Sequence, residues 1–167
     1  MNIIDTTFLV ISLFFFSLGS YLVYLYYDNN ISISSIYCNN EVCRKKSLKF
    51  TLLMGLFAMF YELTINDKIA MFIVLLKYIG LYGLIYTDTK YKIHYVFTFL
   101  AFISMTLFMI YYNYKISNNI LKISLFIQLL LLEKIIVDIR GGKIFYNEIY
   151  YSINFVLFYI YIHCFRT

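Results

Sequence analysis

The chain has no proline, no tryptophan, only three cysteines and six glycines, and charged residues make up only 14% of it. Without proline there is no built-in helix kink and no proline-rich linker. Three cysteines are too few for a disulfide framework. A soluble domain is about 25% charged and about 45–50% apolar, whereas these 167 residues are 62% hydrophobic. So few charges exclude a water-soluble globule, and so much apolar surface excludes disorder.

What is present is 19 Tyr and 17 Phe beside many Ile, Asn and Lys, the alphabet of a strong A+T coding bias. Tyrosine count alone therefore carries little functional weight. The net charge of +5 is read as topology. No basic run with interleaved aromatics lies on a soluble segment, so no nucleic-acid partner is expected.

A bilayer core takes about 20 mostly apolar residues per helix. Six segments qualify, over residues 6–27, 50–65, 69–87, 93–114, 120–139 and 145–165. Their apolar runs are continuous rather than alternating, which argues for helices and against a β-barrel. The expected fold is all-α: one polytopic membrane domain, a compact bundle of about six transmembrane helices. Asp28–Lys49 is its one sizeable loop.

The third segment holds Lys77 at its middle. A central Lys costs about 3 kcal/mol, and the ten Leu, Ile, Phe and Val of Ile69–Ile85 return roughly 4.5 kcal/mol. The segment inserts narrowly. It could instead pair with the second as a hairpin that does not fully cross. No cleavable signal peptide, myristoylation or prenylation signal is read at the termini.

Six antiparallel helices put Arg44, Lys45, Lys46, Lys49, Lys90, Lys92, Arg140 and Lys143 on one face, eight cations. Lys68, Lys115, Lys122 and Arg166, four cations, fall on the other. Positive charge concentrates on the cytoplasmic side, so both termini are expected to be external or lumenal.

Lys77, Gln128 and Glu133 are the intramembrane polar candidates. Lys77 and Glu133 lie on helices running in the same direction, offset by about one turn, ~5–7 Å. That pairing would serve a proton or substrate site, or a structural ion pair. Gln128 is read as interhelical hydrogen bonding. Lys134 snorkels towards a face.

His94 and His163 lie a membrane apart, so they share no metal. Cys38, Cys43 and His94 supply only three ligands without a motif, and no metal or other cofactor is expected. Cys38 and Cys43 could close a small disulfide loop in an oxidising lumen. Arg140-Gly141-Gly142-Lys143 and Arg44-Lys45-Lys46 each fit either a lipid headgroup or simple flanking charge. Asn30-Ile31-Ser32 is a sequon close to the first span. No G-x-S-x-G, H-E-x-x-H, Walker or Rossmann pattern occurs.

The stretch KYIGLYGLIYTDTKYKIHYVFTFLAF, Lys77–Phe102, places Gly80 and Gly83 at the end of one helix, then a polar hinge, then His94-Tyr95 opening the next. With Ala101-Phe102 beyond, and Tyr151-Ser152 and Phe155 in the last span, it resembles the Frag1/DRAM/Sfk1 group, which includes post-GPI-attachment factor 2 and the Cwh43 N-terminal region. The resemblance implies six spans, lipid or GPI-anchor handling or membrane trafficking, and His94 as the carried-over position. The first loop lacks that group's Pro and Ser-Asp signature, and where that group's last span often carries a Glu this chain has only Asn154 nearby. The group's orientation, with a lumenal first loop, is opposite to the charge count.

The leading expectation is therefore a non-enzymatic multi-pass protein whose partners are the bilayer and other membrane proteins. The alternatives are a small proton- or solute-coupled transporter using Lys77 and Glu133, and an intramembrane lipid-modifying enzyme.

Overall fold

The computed structural model describes residues 3–27, 32–64, 67–138 and 144–165, except for the Phe165 side chain. Within these residues it is all-α: α1 Ile3–Leu25, α2 Ile33–Asn39, α3 Glu41–Thr64, α4 Lys68–Tyr86, α5 Lys92–Ile116, α6 Asn119–Asp138 and α7 Phe145–Phe165. Four of them, α1, α3, α4 and α5, are long and apolar enough to cross a membrane. Large apolar side chains such as Phe14, Phe72, Phe99 and Phe126 cover the outside. That surface suits lipid, not water.

The expected first loop is mostly helix. Ser32 caps α2: its Oγ accepts the Ser35 N–H at 3.2 Å, and Ser35 Oγ accepts the Ser32 N–H at 3.2 Å. This is a capping box with serine in the place of the usual Glu or Gln. Asn40 ends α2, donating its N–H to Ile36 O, and starts α3, accepting the Cys43 N–H on Oδ1 at 2.8 Å. One asparagine thus turns the chain between two helices. The second span accordingly lengthens from Phe50–Ile65 to Glu41–Thr64, 24 residues. Arg44, Lys45 and Lys46 lie on its first turns rather than in a loop.

Asp67 caps α4, and Thr87 closes it with its hydroxyl on Gly83 O at 2.6 Å. Ser117, in the left-handed region at φ 48°, makes the tight turn from α5 to α6. Asn118 then caps α6 by accepting the Ile120 N–H at 2.8 Å.

Successive long helices pack side by side: α1 on α3, α3 on α4, α4 on α5, α5 on α6 and α6 on α7. α7 also returns to α5, while α6 stays outside this return, packed on α5 and α7. The α4–α5 crossing is the closest approach. Gly80 faces the Ala101 backbone and Gly83 faces the Phe97 ring. Close packing here uses two glycines, as membrane helices often do.

Candidate functional site

A cavity of about 160 Å³ lies between α1, α3, α4, α5 and α7, with α2 at one end. Phe15, Phe16, Leu81, Met105 and Phe155 line much of it. Ser12, Ser20, Tyr37, Ser47, Lys77 and Glu148 are among its polar groups. α1 and α7 meet near their two ends. Thr6 Oγ1 lies 3.4 Å from His163 Nε2 at one, and the Tyr27 ring stacks on Phe145 at 4.4 Å at the other. Between these contacts, residues of both helices line the cavity. A Cβ on Gly19, in that stretch of α1, would meet nothing within 4 Å.

Lys77 is the middle residue of α4 and is 5% exposed. Among the described residues its Nζ has no hydrogen-bond or ion-pair partner. It stands over three rings instead, at 4.1 Å from the Tyr78 centroid, 4.7 Å from Phe155 and 5.9 Å from Tyr159. Each such contact is worth about 0.5–2 kcal/mol. Removing an ammonium from water costs several kcal/mol even after relaxation. The rings alone do not balance that, and the Glu62 carboxylate acts on Lys77 through its charge.

Glu62 is fully buried. Its Oε1 accepts the Tyr159 hydroxyl at 2.6 Å, and Oε2 lies 3.5 Å from the Tyr112 hydroxyl. Tyr112 also donates to Asp67 Oδ2 at 2.8 Å, which accepts Lys115 Nζ at 2.8 Å as well. Tyr111 donates to Asp67 Oδ1 at 3.0 Å, and so does the Ala70 N–H. Next to this cluster, the Tyr61 hydroxyl is bonded to His163 Nδ1 at 2.9 Å.

Burial by itself pushes the Asp67 carboxyl up, but Lys115, the Ala70 N–H and the Tyr111 hydroxyl together hold it below its ordinary value of 3.8. The unfolded chain therefore binds the proton first. The contribution is complete above the ordinary carboxylate range and is lost as pH falls through the folded value. Between about pH 5 and about pH 3 the thermal unfolding midpoint in detergent is expected to drop. Asp67→Asn is expected to flatten that part of the profile and to lower the midpoint at neutral pH. An unchanged slope in the variant would assign the acid sensitivity to another group.

The structure disperses several residues expected to act together. Glu133 is exposed on α6, which packs on α5 and α7, so it does not pair with Lys77. α6 turns Glu133 outward. Lys134 is exposed too. Gln128 is fully buried and joins α6 to α7: its Oε1 accepts the Asn154 amide at 2.7 Å, and Asn154 and Ser124 bond each other. Cys38 and Cys43 form no disulfide. Cys38 Sγ accepts the Thr89 N–H, and Cys43 is buried 4.0 Å from Ser47 Oγ. His94 is buried at the α4–α5 turn, its Nδ1 3.2 Å from Thr87 O. Among the described residues no three His, Cys, Asp or Glu gather as metal ligands. Arg140, Lys143 and the Asn30 sequon lie outside the described residues.

Sequence reasoning missed Glu62, Tyr112, Asp67, Glu148 and Tyr159 as site residues. Glu62 and Glu148 lie near span ends, a position that in sequence gives no sign of burial. The one usable signal was Asp67 three residues before Ala70 at a helix start.

Compared with protein-family models, curated proteins and solved structures, the chain matches none.

Proposed function

We propose that this chain is a six-span membrane protein that binds an amphiphilic anion from the bilayer and passes it on chemically intact. The observation that carries this is Lys77: a buried cation with no hydrogen-bond partner among the described residues, lining a largely apolar cavity at mid-helix. Intramembrane charges face interiors and mark ligand or ion sites. A cavity of about 150 Å³ holds a molecule the size of benzene. This one, at about 160 Å³, takes a headgroup and the first part of a chain. The rest of the chain would leave between α1 and α7, which both line the cavity.

On this reading α6 and α7 cross as well, both termini are external or lumenal, and the Arg44–Lys46 end is cytoplasmic. The Frag1-like pattern around His94 fits a lipid ligand, as in lipid or GPI-anchor handling in a trafficking context, although that group's orientation is the opposite one.

The test uses decanesulfonate, a permanently ionised single-chain anion, added to the purified chain in dodecyl maltoside and followed by calorimetry. Wild type binds it, and Lys77→Arg stays within a few-fold. Lys77→Met is expected to lose about a hundredfold in affinity, as truncating one member of a buried charge pair does. Equal binding by Lys77→Met would end the proposal.

A further inference from the structure

Glu62 has no exposed surface, yet one hydroxyl separates it from an ion pair at the bundle end. The Tyr112 hydroxyl is within reach of both Glu62 Oε2, at 3.5 Å, and Asp67 Oδ2, at 2.8 Å. Tyr112 is itself wholly buried. Asp67 is paired with Lys115 at 2.8 Å, and the Lys115 side chain is 52% exposed. On the inner side, the ring that bonds Glu62, Tyr159, lies beside Lys77 and lines the cavity.

Among the described residues, each of the two acids on this path acts on one cation. Lys77 is offset by Glu62, and Lys115 by Asp67. An anion arriving at Lys77 upsets the balance, because Lys77 cannot neutralise both the anion and Glu62. In a low-dielectric interior a net charge is strongly disfavoured, and the group concerned changes protonation instead.

Resting on the reading of Lys77 as an anion site, we propose that Glu62, Tyr112 and Asp67 form a proton path from the Lys115 end of the bundle to the cavity, and that each bound anion is accompanied by a proton held on Glu62. A hydronium at the open end protonates Asp67. Asp67 then gives a proton to the Tyr112 oxygen as the Tyr112 hydroxyl proton passes to Glu62 Oε2. Asp67 recovers its charge and its pair with Lys115. One O–H bond is broken at the hydronium and one is formed on Glu62. No electron moves. Release of the anion reverses the sequence.

Other titratable groups border this path. Tyr159 and His163 come from α7, Tyr61 from α3, Tyr78 from α4 and Tyr111 from α5, and α1 carries Asp5 near its start. Glu148 lines the same cavity, but about 10 Å further along α7 from Phe155 at ~1.5 Å per residue. Its carboxylate accepts the Ile33 N–H at 2.6 Å. His163→Gln and Glu148→Gln are therefore the controls for a proton taken up elsewhere.

Calorimetry of decanesulfonate binding, in two buffers of different ionisation enthalpy at one pH, reads protons taken up per anion. Wild type is expected to take up about one, with affinity falling by up to about tenfold per unit rise in pH, since proton and anion must help each other equally. Glu62→Gln is expected to bind more tightly at high pH, with no uptake and no pH dependence. Tyr112→Phe should keep the stoichiometry but take the proton up at least tenfold more slowly, followed with a pH dye in stopped flow.

Anion binding without proton uptake in wild type would overturn the coupling and leave the anion site standing. Uptake that persists in Glu62→Gln but vanishes in either control would move the proton to that residue. Unslowed uptake in Tyr112→Phe would remove the path. Failure of wild type to bind decanesulfonate at all would instead overturn the reading of the cavity.

Discussion

Glu62→Leu is expected to be among the most destabilising single changes in this chain. It removes the carboxylate whose charge acts on the buried Lys77, and it strips the Tyr159 hydroxyl of an acceptor at 2.6 Å. An unsatisfied buried hydroxyl alone costs about 1–3 kcal/mol, and loss of the charge acting on Lys77 adds to it. The readout is the temperature at which the monodisperse size-exclusion peak in detergent falls by half.

The double variant Lys77→Met with Glu62→Leu removes both charges and is expected to recover part of the loss. The non-additivity should exceed about 1 kcal/mol, as it does for groups coupled in one network. Strict additivity would mean that the two charges do not feel each other. Glu133→Leu is the contrast. That side chain is exposed on α6, and its replacement is expected to change stability by less than about 0.5 kcal/mol. A large loss there would restore the pairing inferred from axial offset alone.

Gly80→Ala is expected to be nearly as damaging, for a purely steric reason. A Cβ at this position would sit 2.5 Å from the Ala101 nitrogen, 2.8 Å from its Cα and 3.0 Å from Phe97 O. All three atoms are backbone of α5, so no rotamer can relieve the clash and the two helices must separate. Overpacking of this kind costs about 1–3 kcal/mol and sometimes more. Gly80→Val should exceed it.

Gly55→Ala meets only the Tyr78 ring, at 2.9 Å, and should fall between. Gly19→Ala meets nothing within 4 Å and is expected to gain up to about 1 kcal/mol of helix propensity. Thermal midpoints of the four variants test the order. The close α4–α5 contact would be refuted if Gly80→Ala behaved like Gly19→Ala.

The amino-acid sequence by itself determined the kind of molecule. Hydropathy summed along the chain is local, so it located six long helices, within a few residues at most ends, and marked Lys77 as a charge that must face inward. It also singled out Gly80 and Gly83, though not what passes against them. Where the reading went wrong, polar residues were treated as loop. Residues 33–49 are rich in Ser, Asn and Lys, yet Ser32 and Asn40 cap two helices there.

Only the tertiary structure decided partners. Which side of α6 faces α7, and therefore that Gln128 is buried while Glu133 is not, depends on helix rotation. The apolar residues run almost all the way around these helices, so no amphipathic stripe in the sequence reports that rotation. Glu62 gave no signal because depth along an axis says nothing about cover. Tyr159, 97 residues away, and Tyr112, 50 residues away, supply that cover. The cavity is lined by both α1 and α7, a relation between two helices at opposite ends of the chain.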